Sequence, residues 1–174
     1  KEKAINGIFR LSDGLKPWAK SSIPACPTSY TYENYSQMKV SPADPQHVYI
    51  VRYCDDRPRD LTGPMIHNLL YEGYASRDGG LRFQRVYQKA IHLDPPVTIS
   101  KLILDLPDSL TPSPVEPDQV YLGTTMISSD GGEHWVTISF PVTILTPDGV
   151  DADQLYGFRQ EWDKPDVGMT RLRS

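Results

Sequence analysis

The chain is poor in the residues that redox and metal chemistry require. Cysteine occurs twice, at Cys26 and Cys54. Histidine occurs four times, at His47, His67, His92 and His134, with no H-x-H or H-x-x-x-H pair among them. A zinc site needs ligands that converge from such spacings, and none is offered. There is no G-x-S-x-G elbow, no P-loop and no G-x-G-x-x-G, so no hydrolase or nucleotide-binding motif appears. No run approaches the roughly 20 apolar residues of a membrane-crossing helix. Basic excess is missing as well. Lys and Arg number 18 against 22 Asp and Glu, for a net charge of -4. That balance leaves no footprint for nucleic acid or an anionic membrane. Together these gaps give the expectation of a non-enzyme without a metal or cofactor.

Turn-forming residues are plentiful. Sixteen prolines and twelve glycines punctuate 174 residues, which favours short strands over long helices. One domain, residues 1–174, suits this length and a hydrophobic content of 39%. Strands are predicted at Tyr30–Tyr35, His47–Tyr53, Leu81–Gln88, Val97–Leu106, Val120–Ser128, Trp135–Leu145 and Gln154–Trp162. In Trp135–Leu145 the residues Val136, Ile138, Phe140, Val142 and Ile144 fall on one face, a period of two. Pro141 places that strand at an edge or bulge. His47–Tyr53 is nearly continuous apolar and reads as a central strand. Gly63–Tyr74 could hold one helical turn before a strand. Cys54–Pro64 and Leu106–Gln119 read as loops, and the tail from Asp163 reads as loose. The fold class is therefore mostly β, built of antiparallel twisted sheets or a β-sandwich.

One octapeptide is spelled twice. "SRDGGLRF" (Ser76–Phe83) and "SSDGGEHW" (Ser128–Trp135) share S-x-D-G-G-x-x-aromatic. In a hairpin tip, Asp78 and Asp130 accept hydrogen bonds from the backbone that follows. Glycines such as Gly80 and Gly132 take positive φ without a Cβ penalty. Ser76 and Ser128 tie the incoming strand, while Phe83 and Trp135 pack beneath. The pattern resembles the Asp-box, or BNR repeat, of sialidases and β-propellers. That resemblance implies a structural hairpin and, with two units, a partial-propeller-like arrangement. A sialidase is not implied, because the chain is too short and "FRLSDG" at Phe9 is a poor counterpart to that family's arginine motif. "DPQHVYIVRY" precedes the first octapeptide and "PDQVYLGTT" the second. Each is a turn running into a Val-Tyr strand.

An even cysteine count fits a Cys26–Cys54 disulfide and an oxidising compartment. The chain opens on "KEKAINGIFR" without Met, as expected where a signal peptide or a lipid-anchored leader precedes it. Between Val48 and Ser76 the first unit carries an insertion from Asp55 to about Asn68, and loops on a rigid sheet are where binding resides. Asp55, Asp56, Arg57, Arg59 and Asp60 alternate charge there and would set specificity. Met65 and Ile66 would fill a pocket. Among the tyrosines, Tyr30, Tyr32 and Tyr35 are expected to fill an inner sheet face.

The run "VYIVRYCDD…YEGYASRDGGLRF", with the cysteine pair and the two boxes, resembles periplasmic immunity proteins that accompany type VI secretion lipase effectors. The likeness covers about Val40 to Phe140. It implies a periplasmic protein, lipid-anchored in some members, that binds a cognate lipase or phospholipase toxin and blocks substrate access without chemistry of its own. Two other readings stand beside it. One is an extracytoplasmic glycan- or protein-binding Asp-box module, with Trp18, Trp162 and the tyrosines as contacts. The other is a structural subunit of a larger propeller.

Overall fold

The computed structural model describes residues 9–10, 19–21, 23–56, 67–93, 110–138, 144–152, 154–158 and 169–173. Among these there is no helix, and every strand pairing is antiparallel. A short hairpin joins β1 (Phe9–Arg10) and β2 (Ala19–Lys20). The first sheet is a four-stranded meander of β3 (Tyr32–Val40), β4 (Val48–Asp55), β5 (His67–Ser76) and β6 (Gln84–Leu93). The second repeats that order with shorter strands, β7 (Leu110–Pro112), β8 (Val120–Leu122), β9 (Met126–Ser128) and β10 (Val136–Thr137). A third holds β11 (Ile144–Pro147), β12 (Gln154–Phe158) and β13 (Met169–Arg173).

The sheets stack face to face. Tyr49 and Val51 of β4 meet Leu110, Val120 and Leu122 of the second sheet, with Tyr71, Tyr87, Met126 and Trp135 packed around them. On its other face the second sheet presents Tyr121, which packs on Leu155 of β12 with Ile127 and Ile138 alongside. The Val-Tyr dipeptide thus does two jobs through strand alternation. Val120 faces back to one neighbour and Tyr121 forward to the next.

The opposite face of the first sheet is organised by a buried guanidinium. Arg52 is 1% exposed and lies between Glu72, 2% exposed, and Glu33 at 2.8 Å. It also donates to the Tyr74 hydroxyl at 2.6 Å and to the Pro24 carbonyl, and lies 5.0 Å from the Tyr74 ring centre. Burial pushes the Tyr74 phenol up to about 12, which keeps it neutral beside the ion pair. Ser21, Pro24 and Cys26 are fastened to this sheet at three points. These are Ser21 Oγ to the Gly80 carbonyl, Pro24 to Arg52, and the Cys26–Cys54 disulfide.

Several expectations change. The predicted strand Val120–Ser128 is a hairpin, because Gly123 adopts φ 57° and turns the chain between β8 and β9. The single strand Trp135–Leu145 is divided. Its start pairs with β9 and its end with β12, while 139–143 lie outside the described residues. Val136 is 63% exposed on the outermost strand rather than buried. Leu106–Gln119 is not all loop, since Leu110–Pro112 forms β7, and the tail is not all loose, since Met169–Arg173 pairs along β12. Cys54 and Asp55 belong to β4, so the stretch read as loop begins later. Tyr35 is 39% exposed, its hydroxyl donating to Glu33, so it does not fill an inner sheet face. The predicted strand Val97–Leu106 and the helical turn before His67 lie outside the described residues.

The disulfide closes a loop of sequence separation 28, worth about 3.5 kcal/mol in the chain-entropy picture. Cys26→Ser and Cys54→Ser are each expected to lower unfolding free energy by about that amount, measured by urea denaturation. Reduction of the wild-type protein should match them.

Candidate functional site

The two octapeptides fold into closely similar hydrogen-bond sets. Ser76 Oγ donates to Asp78 Oδ1 at 2.8 Å and accepts from the Gly80 amide at 2.9 Å. Asp78 Oδ1 also accepts from the amides of Leu81 and Arg82 at 3.0 and 2.9 Å. In the second copy Ser128 Oγ donates to Asp130 at 2.7 Å and accepts from Gly132 at 2.8 Å. Asp130 Oδ1 accepts from the His134 amide at 2.9 Å, and its Oδ2 lies 2.6 Å from His134 Nδ1. These amide donors hold both carboxyls below the usual carboxylate range, the Arg82 amide foremost for Asp78 and the His134 amide for Asp130. The aspartates are thus occupied within their own turns.

Gly79, Gly80, Gly131 and Gly132 have φ of 68°, 87°, 73° and 99°. Gly132 is doubly constrained. A Cβ there would sit 2.9 Å from Val86 Cβ of the first sheet. The aromatics sit at equivalent places: Phe83 lies under Gly80, and Trp135 donates from Nε1 to the Val86 carbonyl at 2.8 Å with its ring edge-on to Tyr87.

A second repeated element adjoins these turns. The Ser41 amide donates to the His47 carbonyl at 2.9 Å, Ser113 to Gln119 at 2.8 Å, and Asp148 to Gln154 at 2.9 Å. Within each turn a further bond closes three residues, His47 to Asp44, Gln119 to Glu116 and Gln154 to Asp151. Register across the flanking strands is the same in all three, Val40–Val48, Pro112–Val120 and Pro147–Leu155. The first glycine of each octapeptide locks onto this turn, Gly79 to the Gln46 carbonyl at 2.8 Å and Gly131 to that of Asp118 at 2.7 Å. The third copy, "DGVDADQLY", shares no serine or proline with "SPADPQHVY". Its signal in the sequence is the spacing before a Leu-Tyr strand together with Asp151, which aligns with Asp44, and Asp153-Gln154, which align with Asp118-Gln119.

Charge stitches the first two units together. His47 lies 3.1 Å from Asp44 and 3.3 Å from Asp118. Arg77 donates to the Asp130 carbonyl at 2.7 Å and pairs with Glu133 at 3.3 Å. Between the two octapeptides lies a cleft of about 280 Å³, lined in part by Arg77, Arg82, Phe83, Val86 and Glu133. Arg77 is already engaged there, and the Asp78 carboxyl points back into its turn.

All these closures gather at one end of the sheets, so strand alternation sends the β4–β5, β6–β7, β10–β11 and β12–β13 connections out from the other. At that second end lies the neck of the connection predicted to bind a partner. Asp56 holds it shut. The Asn68 amide donates to Asp56 Oδ1 and its side-chain amide to Oδ2, both at 2.6 Å, while the Asp56 amide donates to the Asn68 carbonyl. His92 Nδ1 lies 2.7 Å from Asn68 Oδ1, and the Cys26–Cys54 disulfide pins the adjoining strand. Asp55 is fully buried, and its carbonyl accepts from Thr31. Asp55 is therefore not a surface anchor, and Asp56 spends both oxygens on the neck. Arg57, Arg59, Asp60, Met65 and Ile66 lie outside the described residues. Residues that sequence reasoning missed are Asn68 and His92 at the neck, and Arg52, Glu33 and Glu72 behind it. The only trace of Arg52 and Glu72 is charge placed inside largely apolar strands.

Gly132→Ala should cost about 2–4 kcal/mol, from positive φ and overpacking against Val86, read by thermal or urea unfolding. The depressed carboxyls give a pH signature. Their stabilisation is fully present above the unfolded carboxylate range near about pH 4 and fades as pH falls through the lower folded values. The His134 imidazole is raised by its hydrogen bond to Asp130, so its share has the opposite sign and fades as pH rises through the folded value. Asp130→Asn should flatten the acid limb of a melting-temperature profile measured from about pH 2 to pH 7.

Compared with protein-family models, with curated proteins and with solved structures, the chain matches none of them.

Proposed function

We propose that this chain is a non-catalytic binding protein of an oxidising compartment, with a secreted lipase toxin as its ligand. The observation that carries the binding reading is the difference between its two ends. One end is closed by repeated short turns whose polar groups bond one another. The other launches the β4–β5 connection from a neck fixed by a disulfide and by the Asp56–Asn68 clamp. Rigid necks under long connections lower the entropy lost on docking, the general route to tight recognition without chemistry. The disulfide supports an extracytoplasmic setting such as the periplasm. The lipase as partner rests on the resemblance of the octapeptides and the Val-Tyr strands to immunity proteins of type VI secretion lipases. In this reading Arg57, Arg59 and Asp60 set specificity, Met65 and Ile66 supply apolar anchors, and the paired octapeptides are Asp-boxes that stiffen a partial propeller.

Titration into a type VI secretion lipase with a short-chain ester substrate should abolish hydrolysis at one equivalent. A combined Arg57→Glu, Arg59→Glu and Asp60→Lys variant should weaken inhibition about tenfold or more, since interfacial charge reversal costs on the order of kcal/mol. Ser128→Ala, distant from that end, should inhibit as the wild type does. Undiminished hydrolysis by every such lipase at molar excess would discard the lipase, and binding on a glycan array without lipase inhibition would replace it with a sugar ligand.

A further inference from the structure

We propose that the cleft between the two octapeptides binds a carboxylate carried on a small apolar group. β5 runs from the neck at Asn68 to Ser76 of the first octapeptide, so the cleft lies at the end of the sheet opposite that neck. The inference therefore goes beyond the binding reading above and stands apart from it.

The two copies of the turn separate residues that serve the fold from residues that do not. Serine, aspartate, two glycines and an aromatic are common to both and supply the hydrogen bonds and packing of each hairpin. The copies differ at Arg77 against Ser129, at Leu81 against Glu133 and at Arg82 against His134. From these variable positions Arg77, Arg82 and Glu133 line the cleft. Ala75, Phe83 and Val86 give it an apolar lining, and it encloses about 280 Å³. That volume suits a small molecule or one large side chain.

Hydrogen-bond capacity selects an anion. Asp78 Oδ1 already receives Ser76 Oγ and the amides of Leu81 and Arg82, and Glu133 faces Arg77 at 3.3 Å. Arg77 is shared among Glu133, Asp118 at 3.5 Å and the Asp130 carbonyl. Arg82 differs from its counterpart. His134 folds back to 2.6 Å from Asp130 Oδ2, whereas Arg82 Nε stands 4.0 Å from Asp78 Oδ2, its one ion pair among the described residues. The Arg82 amide is bonded to Asp78, so an 89% exposed guanidinium projects from a fixed root. Its fork of N–H donors matches the two oxygens of a carboxylate. Phe83 and Val86 then cover the hydrocarbon body. Two sources share this chemistry, a small organic acid and the C-terminal residue of a partner chain.

The test titrates the isotope-labelled full chain with phenylacetate and with acetyl-Gly-Phe, each against its own amide. NMR follows the Arg82 Nε–H and the Trp135 indole N–H, which rests on the Val86 carbonyl beside the cleft. Saturable shifts of both resonances are expected with the acids and none with the amides. Tighter binding of the peptide acid assigns the site to a partner's C-terminus, and tighter binding of phenylacetate assigns it to a free acid. Arg82→Gln, read on the Trp135 resonance, should weaken binding about tenfold or more, the loss of a charge-assisted hydrogen bond. Its melting temperature should stay near wild type, because the side chain is exposed. No saturation with either acid, equal binding of the amides, or undiminished binding by Arg82→Gln would overturn the proposal.

Discussion

The structure depends on one backbone hydrogen bond made twice, from the first glycine of each octapeptide to a carbonyl two residues before a Val-Tyr strand. For that amide to point across the hairpin, Gly79 and Gly131 must hold positive φ, a region that charges other residues a steric penalty. The serine and aspartate of each turn then satisfy the amides left over, so the corner has little polar demand for water. Its consequence is tertiary. The bond ties the turn between the third and fourth strands of a sheet to the turn between the first and second. All four strands are thereby fixed at one end.

Stacking follows from that fixed end. With strand starts aligned, the Tyr of one unit meets the apolar residue of the next, as Tyr49 meets Val120 and Tyr121 meets Leu155. Polar contacts then add specificity at the seam. Gly132 leaves room for Val86, Trp135 reaches the Val86 carbonyl, and Arg77 extends to the carboxylates of the second unit. Arg77 has no counterpart in the second octapeptide, where Ser129 occupies its position.

The first sheet solves a different problem on its outward face. Ser21, Pro24 and Cys26 lie against it, held by a hydroxyl, a buried guanidinium and a disulfide. Arg52 is worth keeping in a core only because Glu72, Glu33, Tyr74 and Pro24 leave none of its donors wasted. Removing a single partner would leave charge uncompensated at low dielectric. The same arrangement places Cys54 beneath the neck at Asp56, so the cover over this face and the stiffness of the β4–β5 neck share one covalent link.

By itself the sequence determined the strand-rich class, the antiparallel pairing, the central place of His47–Tyr53, the doubled octapeptide and the cysteine partnership. Each is local or combinatorial. Alternation, glycine spacing and an even thiol count act within a few residues or leave one pairing. What only the tertiary structure decided was which strands end where and which charges go inside. The hairpin at Gly123, the short β7 and the pairing of Met169–Arg173 depend on neighbours far along the chain. So do the burial of Asp55, the clamp from Asp56 to Asn68 and the third turn at Asp148. In most of these cases the polar group is satisfied by a partner that is distant in sequence, which leaves no periodic mark on the chain, while the third turn is marked only by the short Asp-Gln-Leu-Tyr echo of the second.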